Sequence, residues 1–303
     1  MQRQRLLAGL PVAVQLWADD RAHGAAAMAQ VLAELQRLER RFGGTRADSE
    51  TALVNARAAA EPVRISGELC QLVARARLLA QRTQGAYDVT VAGLPRHDHQ
   101  ADDLVLARAA QGIGWQHLRL DPLGPSLHFA RPGLRMALGA LLRAHAADRC
   151  AALLQRQGVQ QGWLRVGDVE RVLGDRRGRP WTLPLKDPRD ADAVLAWLPL
   201  HDRALCSVDA AAAARLRDPR SGRPVQPLPC VAVAAADGPL AAAWARAVHV
   251  LGLERGLPLL AAQDEVDAVV MDADGRLHAT AGLQALQGPR WLAPQPEPER
   301  VRA

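Results

Sequence analysis

Aromatic side chains and lysine are scarce in this sequence. Aromatic residues make up 3% of the 303 residues, and lysine occurs once, at Lys186, so arginine carries nearly all the positive charge. Proteins that bind single-stranded nucleic acid use exposed aromatic rings as stacking platforms, and no run of basic residues forms a patch. The sequence therefore predicts no nucleic-acid partner. The net charge of +6 indicates only a weak attraction to anionic ligands.

The sequence also lacks paired cysteines and long apolar runs. None of the four cysteines forms a C-x-x-C pair, so we expect buried free thiols and no zinc site. No apolar stretch is long enough to span a membrane. The apolar residues 6–10 are followed by a strand pattern over residues 12–17, which we interpret as a strand and not as a signal peptide. These absences predict a cytoplasmic protein.

Helix and strand patterns interleave along the chain without a regular β-α-β alternation. Apolar residues recur at helical spacing over residues 25–41, 66–81, 141–157 and 239–251. Strand patterns lie between them, including a hairpin over residues 266–280. This arrangement predicts an α+β fold and not a doubly wound parallel sheet. We predict one domain over residues 1–285 and a flexible tail over residues 286–303, which are rich in proline and glutamate.

Four segments are informative because of their order and spacing. They read TQGAYDVTVAGL at 83–94, LGALLRAHAADR at 138–149, GDV at 167–169, and DPRSGRP at 218–224, the last followed by AAAWARA at 241–247 and VLG at 250–252. Together with Phe42, Ser49, Glu50 and Asn55, they resemble the ApbE family, the FAD:protein FMN transferases. The resemblance covers residues 8–282. It implies an ApbE-like (T-fold-like) fold, with mixed β-sheets flanked by helices.

The resemblance implies a reaction as well as a fold. Members of the family bind FAD with a divalent metal, usually magnesium, move its FMN half onto a threonine or serine hydroxyl of a target protein, and release AMP. That chemistry needs oxygen ligands for a hard cation and a base for the hydroxyl. FAD and an acceptor protein are thus the implied partners. The flavin-binding residues that it implies are Ala86, Tyr87, Asp88, Arg143, Asp148 and Asp168.

This chain departs from the family pattern at the positions of the chemistry. The metal-binding aspartate is Ala242, its companion threonine is Arg246, the aspartate opening the second segment is Ala137, and the candidate base is Arg215. Alanine offers no side-chain ligand. Two unit charges 4 Å apart repel by about 4 kcal/mol at an effective dielectric of about 20, so Arg246 disfavours a cation. We predict no magnesium site of the family type. Arg246 and Arg143 are predicted to bind a phosphate directly instead.

Two functions remain open at this point. The first is an FMN transferase whose activity is impaired, with no catalytic residue assigned. The alternative is a non-catalytic flavin- or nucleotide-binding or regulatory pseudoenzyme on the same scaffold.

Several of these residues also have purely structural explanations. Asp148 fits a helix surface, paired with Arg149 or Arg143, and Asp168 fits a tight turn between strands. His249 fits the core. The polar stretch around His97 lacks the third ligand that a metal site needs.

Overall fold

A computed structural model describes residues 2–7, 10–18, 20–94, 103–176 and 178–283. Its helices are α1 (Arg21–Phe42), α2 (Glu50–Arg57), α3 (Gly67–Arg82), α4 (Asp103–Gly112), α5 (Gly139–Arg156), α6 (Ala210–Ala213), α7 (Gly238–Leu251) and α8 (Leu253–Ala261). Its strands are β1 (Gln2–Leu7), β2 (Leu10–Leu16), β3 (Val63–Arg64), β4 (Leu118–Asp121), β5 (Ser126–Phe129), β6 (Gly162–Val166), β7 (Val169–Leu173), β8 (Trp181–Asp187), β9 (Asp190–Leu200), β10 (Ala204–Asp209), β11 (Cys230–Ala235), β12 (Val266–Met271) and β13 (Leu277–Ala279).

Helices α3 and α7 begin at residues whose side chains cap the first turn. Ser66 Oγ accepts a hydrogen bond from the Leu69 amide at 3.2 Å, which confirms the predicted start of α3. Asp237 caps α7 in the same way, 2.7 Å from the Leu240 amide. The predicted helices are thus present with shifts of a few residues. The shorter α2 and α4 were not predicted, because two to three turns carry too little periodicity.

The main sheet has eight strands in the order β1-β2-β6-β7-β10-β11-β12-β13. Every strand pair in it is antiparallel. The predicted hairpin over residues 266–280 is confirmed as β12 and β13, with Met271 opposite Leu277. Strands and helices are segregated and not alternating, so the α+β prediction is confirmed. A smaller sheet has the order β3-β5-β4.

Both faces of the main sheet are covered. In β11 every residue is buried, and alternate side chains point to opposite faces. Val231 and Val233 join the larger core with helices α1, α3, α5 and α7, whereas Ala232 and Ala234 join a second core under the hairpin β8–β9. This two-sided burial explains why β11 has a continuous apolar run and no polar alternation.

Some sequence predictions need correction or lie outside the described residues. The strand predicted over residues 115–120 begins as a 3₁₀ turn (Trp115–His117) and becomes extended only at β4. Strand β9 was missed. Residues 95–102 of the predicted polar loop, and the predicted tail 286–303, lie outside the described residues, so the domain boundary stays a prediction. No helix in the described ranges is both long and apolar enough to cross a membrane.

Candidate functional site

The first informative segment folds into a tight turn after α3. Gly85 has a φ of +77°, a left-handed conformation that glycine adopts without strain. Thr83 Oγ1 accepts a hydrogen bond from the Tyr87 amide at 3.1 Å. The turn therefore fixes where Tyr87 enters the core, and it buries Ala86 and Tyr87 together.

Asp88, the next residue in this segment, holds the turn to a distant part of the chain. Its Oδ1 accepts from the Thr90 amide at 2.8 Å and the Thr90 hydroxyl at 2.7 Å, and its Oδ2 accepts from the Trp115 amide at 2.8 Å. Burial raises the pKa of the Asp88 carboxyl, and these hydrogen bonds partly offset the rise. The side chain thus has an internal structural role.

The second segment positions the start of α5. Asn55 makes two hydrogen bonds with the backbone of Met136. Its Nδ2 donates to the Met136 carbonyl at 2.9 Å, and its Oδ1 accepts from the Met136 amide at 2.8 Å. The Ala137 amide donates to the Val89 carbonyl at 2.7 Å. These contacts give Asn55 a clear role: it anchors the chain that leads into α5.

Helix α5 begins without a side-chain cap. Its cap residue, Leu138, makes no side-chain hydrogen bond, and its first turn contains no acidic residue. The free amides and the helix dipole give such an end a partial positive charge. Arg143 adds a full charge nearby: a Cβ built on Gly139 would lie 3.7 Å from Arg143 Nη1. The guanidinium therefore folds back toward the start of its own helix.

Asp168 lies between two arginines from different helices. Arg143 Nε donates to its Oδ1 at 2.9 Å, and Arg246 Nη2 of α7 donates to its Oδ2. The side chains of Arg143, Asp168 and Arg246 are 24%, 18% and 12% exposed. We call these three residues the Asp168 cluster. With two cations and one anion, the cluster carries one net positive charge.

The arginines decide the ionisation state of Asp168. Burial by itself would raise the pKa of its carboxyl, but Arg246 and Arg143 outweigh this effect, so the pKa lies below its usual value. Asp168 is therefore ionised at neutral pH. In the structure the two guanidinium groups that the sequence predicted to hold a phosphate are already engaged with a carboxylate.

Tyr87 and Cys206 lie beside the Asp168 cluster. The Tyr87 hydroxyl is buried and has no hydrogen-bond partner among the described residues. Burial raises the pKa of Tyr87 to about 12, although the charges of Arg246 and Arg143 act in the opposite direction. Burial also raises the pKa of the Cys206 thiol to about 12. Both groups are thus protonated at neutral pH, and neither is an activated nucleophile.

Asp148 belongs to a different group of contacts from Asp168. Its Oδ2 accepts from the Gly238 amide at 2.9 Å, and its Oδ1 lies 3.4 Å from Arg171 Nε. Burial raises its pKa to about 6. The expected pairing with Arg149 or Arg143 is wrong: Arg149 pairs with a glutamate of α1 and Arg143 with Asp168. Asp148 instead holds the first residue of α7.

A cavity of about 370 Å³ opens where the first and fourth segments meet. Its lining includes Gln84, Gly85 and Asp88 from the first turn, Trp115, and Arg220 from the Asp-Pro turn. Arg220 pairs with Asp218 at 2.8 Å. Pockets that bind small molecules have this order of volume, so the cavity is large enough for one part of a nucleotide.

The structure brings together only some of the six predicted flavin-binding residues. Arg143, Asp168 and Tyr87 form one group, and Asp88 lies on the cavity wall. Asp148 faces the start of α7 instead. Flavin contact at all six positions remains a prediction. Sequence reasoning assigned no role at the site to Cys206 or Trp115.

The residues present do not fit the metal that the resemblance implies. The buried methyl group of Ala242 replaces a carboxylate, and the Ala242 carbonyl accepts from Arg246 Nη1 at 3.0 Å. Both oxygens of Asp168 are engaged with guanidinium groups. Within the described ranges, no group of three or more histidine, cysteine, aspartate or glutamate side chains is arranged to hold a metal ion. His97 and its neighbours lie outside those ranges.

Comparison with solved structures defines the class of fold. The ApbE protein of Thermotoga maritima superposes with a TM-score of 0.85 at 18% identity, covering 95% of this chain and 99% of that one. The flavin transferase ApbE of Vibrio cholerae gives a TM-score of 0.81 at 24% identity, covering 94% and 99%. At these identities the likeness concerns the fold: the protein has the α+β architecture of the flavin transferases.

The sequence comparison then identifies the family. The ApbE family profile matches residues 8–270, and the chain belongs to the ApbE family. It is 26% identical over 282 residues to a FAD:protein FMN transferase of Klebsiella pneumoniae, covering 87% of this chain and 86% of the relative. It is 26% identical over 301 residues to one of Treponema pallidum, covering 85% and 80%.

Proposed function

We propose that this ApbE-family protein binds FAD without magnesium and that its transfer of FMN to a protein hydroxyl is impaired. The observation that supports FAD binding is the net positive Asp168 cluster beside the uncapped N-terminus of α5. Helix N-termini and arginine forks both favour phosphate. The diphosphate of FAD is the part of the ligand that these groups suit.

The site supplies the phosphate-binding groups from several elements. The first amides of α5, with Arg143 beside them, lie on one side, and Arg246 of α7 adds its positive charge through its contact with Asp168. The cavity beside Trp115 and Arg220 offers room for a ring at one end of the nucleotide. These groups bind and orient the ligand, but none of them moves a proton.

Two features account for impaired transfer. The side-chain ligands that would hold a divalent cation are absent at Ala242 and Arg246. The position of the candidate base is Arg215, whose guanidinium stays protonated in proteins and cannot accept the proton of an attacking hydroxyl. Loss of one electrostatic stabiliser costs roughly 10²- to 10³-fold in rate. We therefore expect FAD binding to be retained while FMN transfer is weakened.

The first experiment measures FAD binding by the full chain through quenching of flavin fluorescence. Arg143→Gln removes charged donors worth about 1.5–3 kcal/mol, so we expect at least a tenfold loss of FAD affinity. Arg156→Gln is the matched control, because Arg156 is exposed at the other end of α5, about 20 Å away. Absence of FAD binding by the wild type would reject the proposal and favour a protein partner.

A second experiment measures transfer directly. The chain is incubated with FAD and with a protein that the Klebsiella pneumoniae relative flavinylates. The relative itself, incubated in the same way, is the positive control. Covalently bound flavin is detected by its fluorescence in a denaturing gel. We expect transfer at least about 10²-fold slower than that of the relative. An equal rate would show that transfer is intact.

A further inference from the structure

Arg246 is the buried charge whose position needs an explanation. The residues around it on α7, Ala241, Ala242, Ala243, Trp244, Ala245 and Ala247, are all apolar and buried. A guanidinium in such a helix costs free energy unless it is paired and hydrogen-bonded. The contacts of Arg246 should therefore explain how this free-energy cost is offset and which role the positive charge has.

Arg246 is paired and hydrogen-bonded in this position. Its guanidinium donates to Asp168 Oδ2 and to the Ala242 carbonyl at 3.0 Å, and Nη1 lies 3.7 Å from Cys206 Sγ. Two oxygens and a sulfur thus surround the positive group. The resemblance places the metal-binding aspartate and its companion threonine at Ala242 and Arg246 themselves.

We infer that Arg246 is a built-in cation that takes the place of the divalent metal in this site. Relative to the family pattern, Ala137 and Ala242 remove two negative charges and Arg246 adds one positive charge. The resulting change of three positive units offsets the two charges of a missing Mg²⁺. The site remains attractive to a diphosphate, and this part of the inference rests on the proposed function.

The substitutions at positions 242 and 246 are mutually dependent. At a distance of 4 Å, Mg²⁺ and Arg246 repel by roughly 8 kcal/mol at an effective dielectric of about 20, so the metal and this arginine exclude each other. The short side chain of Ala242 leaves its carbonyl open to Arg246, one helical turn away. A carboxylate at position 242 beside Arg246 would pair with the guanidinium and bind no metal.

Mn²⁺ binding, followed by electron paramagnetic resonance without FAD, tests the replacement. We expect the double variant A242D/R246T to bind Mn²⁺ at least tenfold more tightly than the wild type. The single variant A242D and the control A242D/R156T, which removes an exposed arginine elsewhere, should show no gain. Circular dichroism verifies folding of each variant. A folded A242D/R246T protein that binds no more Mn²⁺ than A242D contradicts the inference.

The wild-type protein supplies a second test that needs no variant. Its FAD affinity should be the same within about twofold in Mg²⁺ and in EDTA, since the cation is part of the chain. A tenfold increase in affinity with Mg²⁺ overturns the inference even if A242D/R246T fails to fold. Failure of the wild type to bind FAD rejects the proposed function, and the Mn²⁺ measurement then still decides the role of Arg246.

Discussion

Individual side chains of the site differ in whether their polar groups are satisfied. Asp168 has two guanidinium partners, and they hold its pKa below the usual value against the effect of burial. The Tyr87 hydroxyl, which is also buried, has no partner among the described residues. Buried polar groups without partners are rare in proteins. Asp168 is therefore expected to stabilise the fold, and the Tyr87 hydroxyl to cost stability.

Removal of the Tyr87 hydroxyl should increase stability. An unsatisfied buried hydroxyl costs about 1–3 kcal/mol, so Tyr87→Phe should raise the free energy of unfolding by about 1 kcal/mol, as measured by urea denaturation. The ring and its packing stay the same. A decrease in stability would show that the hydroxyl has an internal partner. A decrease in FAD affinity alone would show that the hydroxyl contacts the ligand.

The relative positions of α5 and α7 determine the geometry of the Asp168 cluster. Asp148 of α5 holds the Gly238 amide of α7, and a Cβ on Gly238 would lie 2.7 Å from the Ala144 carbonyl. The two helices thus approach closely at a glycine. Because Arg143 and Arg246 extend from these helices, the junction between the helices sets the distance between the two guanidinium groups.

Asp148, at the junction between α5 and α7, should make the protein less stable as the pH rises, which is the opposite of the usual effect of a carboxyl group. Burial raises the pKa of Asp148 from 3.8 to about 6, so its ionisation in the folded state costs stability, which falls as the pH rises through that range. Relative to the wild type, Asp148→Asn should therefore gain roughly 2 kcal/mol of unfolding free energy between pH 4.5 and pH 7. Urea denaturation at both values measures the change.

The comparison of the two proteins cancels the titration of other carboxyl groups, Asp168 included. Asp168 has the opposite sign: its pKa is lowered in the folded state, so the stability it supplies is lost on acidification. An unchanged stability difference between Asp148→Asn and the wild type across this pH range would argue against the raised pKa of Asp148.

In the whole molecule, the main sheet separates the Asp168 cluster from a second apolar core. The Asp168 cluster and helices α5 and α7 lie on one face of the main sheet, and the hairpin β8–β9 covers the other. Each face has its own apolar cluster, and the strands between them are antiparallel. Damage to the hairpin core should therefore reduce stability without changing the FAD site that we propose.

Leu198→Ala tests this separation. Leu198 of β9 is fully buried in the second core, and truncation of a buried leucine costs about 2–5 kcal/mol. We expect that loss of stability with FAD affinity unchanged in the protein that remains folded. Leu123→Ala is the control, because Leu123 is 96% exposed. A loss of FAD affinity in Leu198→Ala would show that the two faces are coupled.

The sequence by itself determined the classes of element, the α+β fold and the family. Helical spacing, capping residues such as Ser66, and the order of the four segments are local or sequential features, and a chain carries them without being folded. The departures at Ala242 and Arg246 from the family pattern were also visible there, and the prediction that no magnesium site of the family type forms rests on them.

Only the tertiary structure decided how the charged groups pair. Asp168 is 25 residues from Arg143 and 78 from Arg246, and Asp148 is 90 residues from Gly238. No local pattern links such positions, because the packing of helices on the sheet selects which side chains meet. For the same reason the sequence predicted the wrong partners for Asp148 and did not pair Arg143 and Arg246 with Asp168. Burial and neighbouring charges then shifted the pKa values away from those usual for each residue type, and these shifts depend on the surrounding fold.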